Sequence, residues 1–284
     1  MSLRKIEVES GADLRNYTHI KIGGRAKYLF SPETTEDLSN LVCDIGPEFY
    51  VLGKGSNLLI ENKVILRPIV KLCGGFSFIK REGDFLRVGA ACRLSTVIRY
   101  CLENELAGLH NLVGIPATIG GLLSMNASSF GQSINFYLLD VEVMDKKGEV
   151  KTLPKEEIEF GYRSSSLRDY IILSARFKLF KEEGFKDKVK SLFAKRLWEQ
   201  DFHLPSCGCI FKNPSDNSAG ILIDSCGLKG LQRGDACVSE RHANFIVNLG
   251  SARYKDVDYL IRKIKDRIYK KYSIILEEEI IRWH

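Results

Sequence analysis

Apolar and polar positions change period several times along the chain, and each change marks an element. Between residues 16 and 70 strand and helix patterns alternate. Ala26-Lys27-Tyr28-Leu29-Phe30 reads as a strand; Pro32 and a Thr34/Asp37 capping pair then open a helix with Leu38, Leu41, Val42 and Ile45 on one face. Phe49-Tyr50-Val51-Leu52 is a second strand, and this βαβ unit ends in Gly53-Lys54-Gly55-Ser56-Asn57 before a third, Leu58-Leu59-Ile60. From about 75 to 180 strand patterns dominate. They are interrupted by one helix, with Ser95 as its expected N-cap, Val97, Ile98, Cys101, Leu102 and Leu106 as its apolar face, and Gly108 as its stop. A glycine-rich segment, 114–131, follows. Residues 186–200 read as helix, and 201–250 as loops mixed with strands such as Asn244-Phe245-Ile246-Val247. A last helix sets Val257, Leu260, Ile261, Ile264 and Ile268 in one stripe, and a terminal strand is expected from about Ile274 to Trp283. With no repeat or long linker, the expected parts are 1–72, 73–182 and 183–284.

Composition narrows the class. With 284 residues, 44% of them apolar, 27% charged and 7 proline, the chain is globular rather than disordered or fibrous. Its longest apolar runs, such as Tyr170-Ile171-Ile172-Leu173, are strand-sized, and Met1-Ser2-Leu3-Arg4-Lys5-Ile6-Glu7 has no apolar signal core. A cytoplasmic protein without membrane insertion is expected. Eight cysteines diluted over this length read as reduced thiols, with Cys43 and Cys101 on apolar helix faces as core filler. The net charge of +6 suits anionic small molecules; the lysine-rich stretches at 186–196 and 263–271 fit solvated helix faces and point away from nucleic acid.

Candidate chemistry begins with three glycine segments: Ile22-Gly23-Gly24, Gly53-Lys54-Gly55-Ser56-Asn57, and Gly114-Ile115-Pro116-Ala117-Thr118-Ile119-Gly120-Gly121. Glycine permits positive φ and leaves no Cβ in the way, so each could bring backbone amides close to a diphosphate. None has Rossmann or Walker spacing, and each taken singly also reads as an ordinary turn. Together, with Ser56, Asn57 and Asn126 nearby, they favour an anion-binding surface. Other residues stay open on this ground alone. Arg163 could be a surface ion-pair partner, and Glu279 one of the solvated charges of an edge strand. Cys207, Cys209, Cys226 and Cys237 could hold zinc, although the second pair lacks the usual close spacing, and no metal is expected.

The ordered strings make a resemblance specific. Leu52-Gly53-Lys54-Gly55-Ser56-Asn57-Leu58 and Gly114 to Gly121 followed by Met125-Asn126-Ala127 resemble the two flavin-binding signatures of the UDP-N-acetylenolpyruvoylglucosamine reductase family. Asn16-Tyr17-Thr18 with Lys21-Ile22-Gly23-Gly24 resembles its opening motif. Further similar strings follow in the family's order: Gly161 to Ser165, Pro205 to Pro214, His242 to Asn248, and Leu276 to Ile280. The length is similar to the family's shorter subtype.

The resemblance implies an α+β fold with a two-part, PCMH-type FAD-binding region, 1–72 and 73–182, and a C-terminal α/β substrate domain, 183–284. It implies FAD held by Gly53, Gly55, Ser56, Asn57, Leu58, Gly114, Ile115, Pro116, Ile119, Gly120, Gly121, Asn126 and Ala127, and NADPH as the reductant. The implied reaction reduces UDP-N-acetylglucosamine enolpyruvate to UDP-N-acetylmuramate in peptidoglycan synthesis, with hydride from reduced FAD and a proton from Cys209. Arg163, Cys209 and Glu279 match the catalytic set, and Lys212, Asn213 and Asn244 are candidate substrate contacts; Lys212 and Asn213 also fit a plain turn before Pro214. The family mostly has serine where this chain has Cys209, a glycine-alanine pair where it has Ser128-Ser129, and a tyrosine where it has Phe130. A monomer is expected. A flavin oxidase of the same superfamily, turning over without NADPH, and a binding protein that lost the chemistry are the rival readings.

Overall fold

The computed structural model describes residues 6–284; the reading of the start as lacking a signal core falls largely on 1–5, outside the described residues. The chain divides into two compact units. The first comprises the stretch up to Ser10 with Lys27–Lys54 and Leu66–Ala194, and the second Gly11–Ala26, Gly55–Ile65 and Lys195–His284.

In the first unit the expected strand is Arg25–Ser31 and the helix after it, α1, is Thr35–Ile45. Thr34 Oγ1 accepts from the Asp37 amide, and Gly46 ends the helix at φ 73°. Leu38, Leu41 and Val42 are buried as the periodicity requires. Cys43 is not core filler. One residue off that stripe, it is exposed and its Sγ donates to Lys147 O at 3.5 Å. The βαβ unit also differs from expectation, because the strands Arg25–Ser31 and Tyr50–Val51 are not neighbours. The short strand Ile69–Val70 lies between them, parallel to both.

The strand-rich part is an antiparallel sheet in the order Val150–Pro154, Leu138–Met144, Ile171–Lys178, Phe85–Gly89, Ile79–Glu82. Helix α2 is Leu94–Asn104, and both of its ends depart from the expected caps. Its first amide, Leu94 N, is satisfied by Ala117 O at 2.9 Å, so the helix starts before Ser95 and Arg93 is the N-cap. It stops at left-handed Glu105 (φ 56°), ahead of Gly108, because Leu106–Ala107 pairs as a strand with Phe180–Lys181. Helix α3, Ile119–Ser124, begins within the third glycine segment. Helix α4, Phe185–Glu199, contributes Phe185 and Val189 to this unit's core.

The second unit carries an antiparallel sheet in the order Ser206–Cys209, Phe245–Asn248, Ala236–Val238, Gln232–Arg233. Helix α5, Ala219–Ser225, gave no clear periodic signal; α6, Tyr254–Tyr272, did, and its Val257, Leu260, Ile261, Ile264 and Ile268 are all buried in this unit's own core. The terminal strand is shorter than expected. Only Ile281–Trp283 is strand, parallel to Leu58–Ile60, so Glu279 lies just ahead of it rather than within it. No helix among the described residues is long and apolar enough to cross a membrane.

Candidate active site

In the first unit the two flavin-type segments touch. A Cβ on Gly53 would stand 2.8 Å from Thr118 Oγ1, and Thr118 is the N-cap of α3, accepting from Gly121 N at 3.3 Å. The other amides there are also engaged: Ile119 N donates to Cys92 O and Gly120 N to Ala90 O, each at 2.9 Å. This segment therefore offers a cofactor a bare Cα surface rather than those three donors. A Cβ on Gly120 would meet Ala90 at 3.1 Å, which accounts for a second of its glycines by packing.

Asn126 follows α3 at φ 42°, buried, with its Nδ2 donating to Gly161 O at 3.0 Å. Its Oδ1 is also buried and has no hydrogen-bond donor among the described residues. Such an orphaned acceptor costs roughly 1–3 kcal/mol, a cost that a bound group bearing N–H or O–H would relieve. The glycine cradle and this acceptor fit a flavin. Gly114, Ile115, Pro116 and Ala127 flank the same segment and are partly or fully accessible.

Arg163 sits at the tip of a hairpin in which Phe160 pairs with Ser165 and Gly161 with Ser164. Its φ of 57° is left-handed, which costs an L residue about 1–2 kcal/mol and is held by neighbours. Ser165 Oγ donates to Leu123 O at 2.8 Å, while Arg168 donates to Ser124 O at 3.1 Å and to Arg163 O at 2.8 Å. The hairpin is thus bolted to the end of α3 and to the Asn126 turn.

In the second unit three segments converge. A Cβ on Gly55 (φ 65°) would stand 2.1 Å from Tyr17 O, and Asn57 Nδ2 donates to Glu279 O at 3.0 Å. Glu279 N donates to Ile210 O at 2.8 Å, next to Cys209, and Lys212 N donates to Glu277 O at 2.9 Å. Ser56 O lies 4.0 Å from the Cβ position of Gly208 (φ 75°). Ser56-Asn57, Cys209 and Glu279 are therefore neighbours in one unit, with Leu58 buried at the start of the strand that follows.

The neighbouring carboxylates are committed elsewhere. Glu277 pairs with Lys212 Nζ at 3.1 Å; Glu278 accepts from Lys265 at 2.6 Å and Arg282 at 2.7 Å, and Arg282 also meets Asp258 at 2.7 Å. Burial opposes ionisation of Glu278, but the bonds from Arg282 and Lys265 prevail and hold its pKa below the ordinary glutamate value. The stability this gives is present above the ordinary glutamate range and is lost as pH falls through the lowered pKa.

Some expectations move. The pair Gly23-Gly24 has a packing reason for being glycine: a Cβ on Gly24 would stand 1.8 Å from Lys63 O, and one on Gly23 3.0 Å from Leu14 Cβ. Asn244, a candidate substrate contact, has a structural partner. It is buried and both ends of its amide hold Phe211, accepting from its N at 3.0 Å and donating to its O at 2.8 Å, which steadies the strand end at Cys209. Asn213 Oδ1 accepts from Ala219 N at 3.0 Å at the start of α5.

Sequence reasoning missed Thr118, Arg168 and Arg196. Thr118, two residues after a proline and three before Gly121, carried a readable capping signal. Arg196 is buried near Cys209; burial lowers its pKa, and a thiolate at Cys209 would oppose that. Nothing in its helical stretch marked it out from its lysine neighbours.

The two thiols of this strand differ. Cys207 is buried and desolvation pushes its pKa to about 12, whereas Cys209 is partly exposed. Iodoacetamide at pH 8 is expected to label Cys209 and spare Cys207 in the folded protein, as read by peptide mass spectrometry. Labelling of Cys207 at a comparable rate would show that the strand opens.

Residues 200–283 match the family model for the UDP-N-acetylenolpyruvoylglucosamine reductase C-terminal domain, and residues 26–154 that for an FAD binding domain. The UDP-N-acetylenolpyruvoylglucosamine reductase of Clostridium tetani is 35% identical over 96% of this chain and 91% of its own; that of Halalkalibacterium halodurans is 37% identical over 96% and 93%. The crystal structure of UDP-N-acetylenolpyruvylglucosamine reductase from Thermus caldophilus superposes with a TM-score of 0.86 at 36% identity, covering 99% of both chains.

Proposed function

From membership of the UDP-N-acetylenolpyruvoylglucosamine reductase family, to which this chain belongs, we propose that it reduces UDP-N-acetylglucosamine enolpyruvate to UDP-N-acetylmuramate with NADPH as reductant. The family makes it an FAD-dependent oxidoreductase of peptidoglycan synthesis. The observation that supports this reading is the backbone bond from Glu279 N to Ile210 O, which brings the backbone of Glu279 to the residue that follows Cys209. The pair Glu279 and Cys209, next to Asn57 of a glycine loop, suits proton delivery to carbon.

Bound FAD would supply hydride transfer, replenished by NADPH. The residues proposed to hold it are Gly53, Gly55, Ser56, Asn57, Leu58, Gly114, Ile115, Pro116, Ile119, Gly120, Gly121, Asn126 and Ala127. The substrate is an enol ether conjugated to a carboxylate, so reduction places negative charge on the carbon beside that carboxylate. Arg163 stabilises that charge, because a planar guanidinium presents paired donors matched to a carboxylate. Cys209 then delivers the proton, and Glu279 keeps a carboxyl group beside it to orient the donor. Lys212 and Asn213 are the remaining candidates for substrate contact.

The decisive experiment reduces the protein with NADPH anaerobically and then adds the enolpyruvyl sugar nucleotide. Oxidised flavin should return without oxygen. Reoxidation by oxygen alone would instead favour an oxidase. FAD is also expected to be noncovalent, so acid precipitation should release all yellow colour into the supernatant. Colour remaining in the pellet would contradict this.

A further inference from the structure

The hairpin tip that carries Arg163 faces a second polar group for which the proposed reaction has given no role. Arg163 Nη1 donates to the hydroxyl of Ser128, and to Ser128 O at 3.3 Å. Ser128 begins a small ladder, Ser128 with Ser133 and Ser129 with Gln132, turned by Phe130 (φ 47°) and Gly131 (φ 77°). That ladder is tied down on both sides. Asn111 Nδ2 donates to Phe130 O at 3.0 Å, and Ile134 N to Ala127 O at 2.9 Å. Ser128 is thus a rigid post.

The backbone of Arg163 is held separately, by Arg168 at its carbonyl oxygen. A long side chain needs a second fixed point before its planar head can be aimed, and Ser128 supplies it.

We propose that Ser128 is a positioning residue for Arg163, holding one terminal nitrogen so that the guanidinium meets the substrate carboxylate in a single orientation. This rests on the catalytic reading of Arg163. A bond to a charged group that is aligned before reaction should show in kcat more than in KM.

The test uses the FAD-loaded enzyme with Ser128→Ala, Ser128→Thr, Arg163→Lys and the Ser128→Ala/Arg163→Lys double variant. Ser128→Ala should lower kcat about tenfold, the order expected for one charge-assisted bond, with flavin content and KM little changed. Ser128→Thr keeps the hydroxyl and should restore most of the rate. Against Arg163→Lys, Ser128→Ala should change kcat less than about twofold, because the partner is gone. An equal loss in both backgrounds would make Ser128 merely structural, as would loss of flavin from the alanine variant, and an alanine variant with full kcat would give it no role; each overturns the proposal. Full activity of Arg163→Lys would instead overturn the reading of Arg163 itself, so the two failures are distinguishable.

Discussion

Cys209→Ala is expected to slow oxidation of the NADPH-reduced enzyme by the enolpyruvyl sugar nucleotide about 10² to 10⁴-fold, while NADPH oxidation by the flavin stays nearly intact. The asymmetry follows from the proposed order of events, in which a proton is needed at carbon only after the reductant has left. Cys209 is partly exposed at a strand end whose next residues are clamped by Asn244 and by the Glu279 amide, so removing its sulfur takes away a donor without unseating the strand. Cys209→Ser should recover much of the loss, since a hydroxyl can also deliver a proton. The pH profile separates the two donors. A thiol stops donating as pH rises through a value typically near about 8.5, whereas serine does not titrate in that range, so the basic limb should move upward or vanish in Cys209→Ser. Stopped-flow measurement of each half-reaction decides. Equal slowing of both would make Cys209 structural. An undiminished second half would leave Lys212 or water as the donor, because Cys207, buried and held near 12, is poorly placed to replace it.

Arg163→Lys is expected to depress kcat by about 10² to 10³-fold with FAD still bound, the scale seen when one preorganised donor, about 2.7–4 kcal/mol, is lost from an enzyme site. Lysine keeps the charge but not the fork. It also keeps the backbone contacts that fix the hairpin, which come from Ser165, Arg168 and Asn126 rather than from the Arg163 head group. The loss should therefore appear in kcat and in kcat/KM alike, the mark of an interaction gained in the transition state. Glu279→Gln should behave similarly, since its backbone bonds to Ile210 and Asn57 survive the change. A rise in KM alone, for either variant, would leave only a binding role.

What could be read from the residues was whatever is periodic or locally capped. Thr34 with Asp37 and the stripe from Val257 to Ile268 specify helices by themselves, and both formed as expected. Elements set by partners distant in sequence were not legible. Ser95 looks like an N-cap, yet Ala117, on another segment, satisfies the first amide of α2 and moves its start. Residues 274–280 have a strand's composition but, among the described residues, no partner ladder beyond the bridge between Phe211 and Glu278. At the site, residue types alone left Arg163 and Cys209 open and the ordered family strings singled them out as candidates, whereas the packing of Asn244 and Gly24 is visible only once Phe211 and Lys63 are beside them.

The pairing of Leu58–Ile60 with Ile281–Trp283 has a consequence for biosynthesis. Asn57 and Glu279 are 222 residues apart in sequence, so a ribosome adding about 5–20 residues per second takes roughly 10–45 s between them. During that interval Leu59 and Ile60, fully buried in the folded protein, have no strand to join. Closing so long a loop costs roughly 5 kcal/mol of chain entropy and is a late step in folding. The carboxyl group of the proposed proton-delivery pair therefore reaches its place only after residue 279 has been added, and until then Leu59 and Ile60 lack the strand they pair with.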